Sequence, residues 1–136
     1  VLPAMIRKFH EAKEQKHTKV KLWGNGKAMR EFLFVEDLAE AVIYALENKM
    51  TENIYNVGSG NDISIKALAK IVQKIIGHKG EIIWDDSMPI GTPRKVMDIS
   101  KMQAVGWTST TDLETGIKKT YEWFLKNINN LKEIKL

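Results

Sequence analysis

Apolar residues recur along this chain at two spacings, and those spacings mark out its elements. Leu2, Met5, Ile6 and Phe9 return every three or four positions, with Pro3 in a tolerated first-turn position, so the spacing predicts a helix over residues 2–16. Val20, Leu22 and Trp23 then stand among Lys19 and Lys21, a short strand-like alternation that breaks at Gly24-Asn25-Gly26. A second helix opens at Val35. Its apolar face is Val35, Leu38, Ala39, Val42, Ile43 and Leu46, and Glu36 and Asp37 occupy the first turn, where the helix dipole favours acids. Ile54, Tyr55 and Val57 read as a strand stopped by Gly58-Ser59-Gly60. Ser64 is placed to cap a third helix, whose face is Ile65, Leu68, Ile71, Val72 and Ile75 and whose end is marked by Gly77.

Residues 81–84 form a further short apolar strand. It runs into a loop over 85–95 that is rich in proline, glycine and charge, unlike any other part of the chain. Residues 96–99 are extended again, and Ser100 with Gln103 and Thr111 with Glu114 have the spacing of capping boxes that open two more helices. Leu113, Ile117, Tyr121 and Phe124 form the face of the last one, and the polar tail beyond Asn127 is expected to fray. The sum is about five helices and three or four short strands without an internal repeat. Such a chain folds as a helix-rich α/β layer with strands too short and too few for a self-sufficient parallel sheet.

Composition narrows the class further. A chain of 136 residues fits one domain, and 43% hydrophobic with 28% charged residues excludes disordered and fibrous classes. With no cysteine there is no disulfide, thiolate zinc site or cysteine nucleophile. No apolar run approaches the roughly 20 residues of a membrane helix, and the first residues lack the order of a signal peptide. A soluble, cytoplasmic chain is expected, with no membrane partner. Because it opens without methionine directly into an amphipathic segment, it also reads as a fragment. Much of the net charge of +4 sits in residues 118–135, where Glu122 and Glu133 are interspersed, and this reads as a solvated face. The aromatic residues stand at core spacing rather than on a stacking platform, so no nucleic-acid partner is expected.

Candidate chemistry is sparse. None of the glycine turns at 24–26, 58–60 and 77–80 has the spacing of a dinucleotide fingerprint or a P-loop. His10, His17 and His78 are scattered, expected on the surface, and too far apart for a metal. No serine, histidine and acid are grouped by any local pattern, so no catalytic residue is assigned. Asp85-Asp86 reads as a solvated acidic turn rather than a dyad. The remaining candidates are cationic. Arg30, in an apolar segment between Met29 and Phe32, is costly unless something negative answers it. A bound anion and a salt bridge to Glu31, Glu36 or Asp37 answer it equally well on these grounds. Arg94-Lys95 is the second candidate anion grip, and Trp23 and Met5 offer a flat apolar wall for a base.

The run LWGNGKAMREFLFVEDLAEAV, the turn Ile54-Tyr55-Asn56-Val57-Gly58-Ser59-Gly60 and the following Ser64-Ile65-Lys66-Ala67-Leu68-Ala69 resemble the C-terminal half of the extended short-chain dehydrogenase/reductases that act on nucleotide-sugars. Ala67 departs from the acid usual there. The opening VLPAMIRKFHEAK and the later GTPRKVMDISKMQAVGW are similar to one branch of that family, the NADPH-dependent GDP-4-keto-6-deoxy-mannose epimerase/reductases that make GDP-L-fucose. The resemblance implies a substrate-binding domain over 1–128 with a polar tail at 129–136, and a Rossmann half absent from the chain. It implies that Arg30 and Lys95 hold the diphosphate from two sides, that Leu22 and Trp23 line the guanine pocket, and that Val1, Met5 and Lys8 face the nucleotide. Lys8 stands where the family commonly has arginine, which replaces a fork by a point contact. It further implies that the NADPH loop and the catalytic Ser, Tyr, Lys, Cys and His lie upstream, leaving an inactive fragment that binds no NADPH. The partners implied are a GDP-sugar and the parent's own N-terminal Rossmann domain, in a homodimeric parent. A UDP- or dTDP-sugar enzyme, or an empty binding module, are the alternatives.

Overall fold

The computed structural model describes residues 1–88 and 90–130. Pro89 of the charged loop and residues 131–136 of the expected tail, Glu133 and Lys135 among them, lie outside the described residues. The main core is built by three helices, α1 (Leu2–Glu14), α3 (Ile65–Ile76) and α5 (Leu113–Asn127), packed on two strands, β1 (Lys19–Trp23) and β4 (Glu81–Asp85). Phe9, Leu68 and Val72 are fully buried at its centre, with Ile117, Tyr121 and Phe124 closing one side. The parallel β1–β4 pair sets Val20 against Ile82 and Leu22 against Trp84. Strand alternation sends Val20 and Leu22 inward and turns Lys19, Lys21 and Trp23 out. The Ser64 hydroxyl accepts the Ala67 N–H at 3.1 Å, and Gly77 ends α3 in the left-handed conformation at φ 79°, so both predicted stops of this helix are in place.

A second sheet carries β2 (Met29–Glu31) between β3 (Asp62–Ser64), antiparallel to it, and β5 (Arg94–Lys95), parallel to it. The described residues thus form five short strands; β2, β3 and β5 were not expected from the sequence, and two runs that it reads as extended form no ladder. The apolar run 54–57 is extended but pairs with no strand among the described residues: Ile54 is 75% exposed, and the Tyr55 hydroxyl turns back to accept the N–H groups of Thr51 and Glu52 at 3.0 Å each. β-propensity without a neighbouring ladder makes no sheet. Residues 96–99 do not pair either, because side chains take their backbone groups: Glu31 accepts the Met97 N–H at 2.8 Å and Asn56 donates to the Asp98 carbonyl at 3.0 Å. Both expected capping boxes are one residue out. Asp112, not Thr111, caps α5 by accepting the Thr115 N–H at 3.0 Å, while α4 (Ser100–Ala104) begins with Ser100 inside the helix and Asp98 accepting its N–H at 2.9 Å.

The largest departure is α2 (Val35–Glu47). Its predicted core face points outward, with Val35, Leu38, Ala39, Val42, Ile43 and Leu46 all exposed. The helix is held instead by its other side, where Ala41 and Tyr44 pack with Met102 and Trp107 in a small second core. Burial of α2 is thus decided by which of its faces the rest of this chain reaches, and the more apolar one is left without cover. Two of the three histidines also depart from expectation, while His17 is exposed as expected. His10 is buried with its Nδ1 3.0 Å from the Tyr121 hydroxyl, and His78 is buried with its Nε2 2.9 Å from the His17 carbonyl. Both join loop or helix ends to the core rather than facing water. Among the described residues no helix is long and apolar enough to cross a membrane.

Asp85, at the end of β4, is not a freely solvated acid. Lys21 beside it at 2.7 Å, then the Ser87 hydroxyl, hold its carboxyl down at about 2 against a usual value of 3.8. A depressed carboxylate stabilises the fold above its unfolded value, and that contribution is lost as pH falls from near 4 toward 2. Asp85→Asn should therefore flatten the acid limb of a stability–pH curve in that window and leave the curve's slope above pH 5 unchanged, as thermal melts across pH 2–7 will test.

Candidate functional site

β1, β2 and α1 meet along one groove of about 290 Å³, near the lower limit of about 300 Å³ for small-molecule sites. α1 supplies Val1, Ala4, Met5 and Lys8, β1 supplies Leu22 and Trp23, and Ala28, Arg30, Ile65 and Ile90 complete the lining. The reasons are local. Helical spacing puts residues 1, 4, 5 and 8 on one face of α1. Leu22 is buried as the floor, and Trp23, next along β1, turns its ring outward and remains 59% exposed. Lys8 lies over that ring, its Nζ 5.7 Å from the ring centroid and 3.4 Å from the Lys21 carbonyl. One wall is thus aromatic and cationic, the other aliphatic.

Arg30 lines the groove from β2. Its Nη1 donates to the Met29 carbonyl at 2.6 Å, and among the described residues it makes no ion pair. Each acid that the sequence offered as a partner is committed elsewhere. Glu31 accepts the N–H groups of Gly60 and Met97 at 2.6 and 2.8 Å, Glu36 pairs with Lys119 at 3.2 Å, and Asp37 accepts the Thr111 N–H and hydroxyl at 3.0 and 2.7 Å. The salt-bridge answer to Arg30 is overturned. Gly91, at φ 74°, passes so close that a Cβ there would stand 3.4 Å from Arg30 Nη2, which brings the charged loop directly against the guanidinium.

Lys95 is the register partner of Arg30 on β5, and strand alternation puts both side chains on the same face of the small sheet. It lines an adjoining open recess with Arg30, Glu31, Arg94, Val96 and Met97 rather than the groove itself, and Arg30 is the residue shared by both. Arg94 is engaged by an acid. Its Nε lies 2.5 Å from Asp62 Oδ2, and that pairing raises the guanidinium further and lowers the Asp62 carboxyl. Among the described residues Lys95 makes no ion pair. The structure therefore brings Val1, Met5, Lys8, Leu22, Trp23 and Arg30 into one groove and places Lys95 beside its cationic end. Ala4, Ala28, Ile65 and Ile90 were not anticipated; Ile65 shows in sequence only as part of a core stripe, and the two alanines carry no signal at all.

The glycine turns do not form a phosphate cradle. The Gly60 N–H, which would have to face an anion, is already on the Glu31 carboxylate. Gly77 lies at the C-terminal, negative end of α3, and the Gly24 N–H donates to the Asp85 carbonyl at 2.8 Å. The described residues therefore do not fit a dinucleotide diphosphate at these turns. They hold no group of three or more potential metal ligands either.

Residues 1–58 match the NAD dependent epimerase/dehydratase family. Over 133 residues, 98% of its length, the chain is 46% identical to the probable GDP-L-fucose synthase 1 of Oryza sativa, of which it covers 40%. It is 42% identical over 132 residues, 96% of its length, to the GDP-L-colitose synthase of Yersinia pseudotuberculosis, of which it covers 42%. Its fold superposes on the crystal structure of a GDP-L-fucose synthetase from Naegleria fowleri bound to NADP with a TM-score of 0.89 and 26% identity, covering 98% of this chain and 42% of that one. The α/β fold, rich in helix, is that of extended short-chain dehydrogenase/reductase structures, and the chain spans about 40% of the length of the curated relatives it matches.

Proposed function

From the premise that this chain is homologous over 98% of its length to the GDP-L-fucose synthases, we propose that it is the substrate-binding part of an NADPH-dependent GDP-4-keto-6-deoxy-mannose epimerase/reductase. The observation that carries the reading is Arg30, a half-buried guanidinium with no acid on it among the described residues, lining an apolar groove. In this reading the diphosphate lies at Arg30 and Lys95, where a fork and a point charge neutralise it from two strands. The base lies between Leu22, Trp23 and Met5, with Lys8 swinging off the Trp23 ring or capping its far side. Val1 and the first turn of α1 close the groove. The relatives named above support guanine over other bases, since GDP is common to both names while the sugar changes from fucose to colitose. NADPH supplies hydride to the keto carbon when bound. The residues of this chain contribute none of the cofactor's cradle; they hold and orient the nucleotide end of the substrate. The exposed stripe Val35, Leu38, Val42, Ile43 and Leu46 of α2, together with exposed Ile54 of the unpaired 54–57 segment, is the apolar surface that an N-terminal Rossmann half of the parent would cover. On that basis the chain alone is inactive, and the catalytic machinery belongs to the remaining length of its relatives.

Titration with GDP, UDP and dTDP, read by tryptophan fluorescence with Trp23→Phe as the control, tests the proposal. GDP should quench at concentrations at least about tenfold below those of the other two, and Trp23→Phe should lose most of the signal. No response to any of the three nucleotides would overturn the binding assignment, and equal responses would favour a UDP- or dTDP-sugar enzyme. NADPH oxidation by the isolated chain with the keto sugar would sink the inactive reading.

A further inference from the structure

Glu31, next to Arg30 in sequence, does something the sequence did not suggest. Alternation on β2 turns its side chain to the face opposite Arg30 and Lys95, where its two oxygens divide between two loops. Oε1 accepts the Gly60 N–H at 2.6 Å and the Ser59 hydroxyl at 3.4 Å; Oε2 accepts the Met97 N–H at 2.8 Å. Gly58 makes room for this: a Cβ there would stand 2.3 Å from Oε1. The consequence concerns β5. That strand has only two residues, so few backbone bonds hold it. At its start the Met29 N–H donates to the Pro93 carbonyl at 2.8 Å, and the ladder ends with the Arg30–Lys95 pair. Met97 is the next position on the two-residue period of that edge, and there the Glu31 side chain replaces the missing ladder bond. Lys95 lies between the two pins, Pro93 on one side and Met97 on the other.

We infer that Glu31 is a positioning residue for the anion grip: its carboxylate clips the loop after β5 and the 58–60 turn to β2, and so holds the Lys95 backbone in register with Arg30. The inference rests on the diphosphate reading of Arg30 and Lys95. Glu31 itself touches no ligand in it, since its oxygens are spent on N–H donors on the far face of the sheet. A carboxylate suits this task because it accepts from both loops at once. Glutamine has one accepting oxygen and would leave either Gly60 or Met97 without a partner.

The test compares Glu31→Gln with the wild-type chain, using GDP and guanosine as probes and amide hydrogen exchange as a readout without ligand. The clip predicts faster exchange at Met97 and Gly60, a GDP dissociation constant raised by about tenfold, and guanosine binding unchanged, because only the diphosphate end is displaced. In a Lys95→Ala background Glu31→Gln should have little further effect on GDP. Gly58→Ala, which drives a methyl into Oε1, should reproduce the pattern by an independent route. Equal weakening of GDP and guanosine, or unchanged exchange at Met97, would overturn the inference, since a general loss of structure does the first and an idle carboxylate the second. A wild-type chain that ignores GDP overturns the binding assignment and this inference with it. That outcome is distinct from the inference failing alone, in which the wild type binds GDP and Glu31→Gln binds it equally well.

Discussion

Replacing Arg30 by alanine should weaken GDP binding by about 1.5–3 kcal/mol, roughly tenfold to a hundredfold, while leaving the stability of the fold almost untouched. The two halves of this expectation come from the same geometry. A charge-assisted contact from a guanidinium to a phosphate is stronger than a neutral one, and the fork of Arg30 is half-shielded from water by the groove. Stability is spared because no acid among the described residues depends on Arg30: Glu31, Glu36 and Asp37 have other partners, and the guanidinium's hydrogen bond among those residues goes to the Met29 carbonyl. Surface changes of that kind fall within about 0.5 kcal/mol. Isothermal titration with GDP and urea denaturation of the same two proteins separate the outcomes. If Arg30 served a salt bridge, the mutant would lose stability and keep affinity. Arg30→Lys should lie between the two proteins, since it keeps the charge and loses the fork. The salt dependence of GDP binding should fall in Arg30→Ala as well, because one of its two cations has gone.

The elements that sequence periodicity located best are those whose burial is decided within the chain. α1, α3 and α5 pack on one another and on β1, so each helix's apolar stripe meets another stripe, and Phe9, Leu68 and Ile117 fall where the spacing puts them. α2 has an equally regular stripe, yet Leu46 ends 82% exposed, because periodicity reports that a face wants cover and not whether this chain supplies it. The 54–57 run fails for the same reason in the language of strands. The short strands β2, β3 and β5 were missed because two or three residues carry too little alternation to read, and their ladder depends on partners far along the chain. At the site, Val1, Lys8 and Leu22 came from a resemblance, while Arg30, Trp23 and Met5 were already candidates on their chemistry. Physical reasoning alone left Arg30 undecided between an anion and three nearby acids. Only the positions of Gly60, Met97, Lys119 and Thr111, each distant in sequence, decide against the acids.

Asp37→Ala should destabilise the chain by about 3 kcal/mol, the largest loss of stability expected from removing any one polar side chain considered above. The carboxylate is 2% exposed and, among the described residues, no cation answers it. Its charge is met instead by hydrogen bonds and by its place in the first turn of α2. Thr111 donates both its N–H, at 3.0 Å, and its hydroxyl, at 2.7 Å, and Thr110 adds a hydroxyl at 3.4 Å. The positive end of the helix dipole contributes as well. Alanine would leave the Thr111 N–H without a partner where the 108–112 segment, which leads from α4 into α5, meets the first turn of α2. A stranded donor costs its full desolvation in addition to the lost bond. Asparagine keeps one acceptor and should cost about half as much. A double-mutant cycle with Thr111→Val gives the sharper check, because the hydroxyl and the carboxylate share a bond: in the Asp37→Ala background Thr111→Val should cost about 1 kcal/mol less than it does alone. Additive losses in urea midpoints would mean that Asp37 acts through the helix dipole alone, and a loss below about 1 kcal/mol for Asp37→Ala would mean that water reaches the Thr111 N–H once the carboxylate is gone.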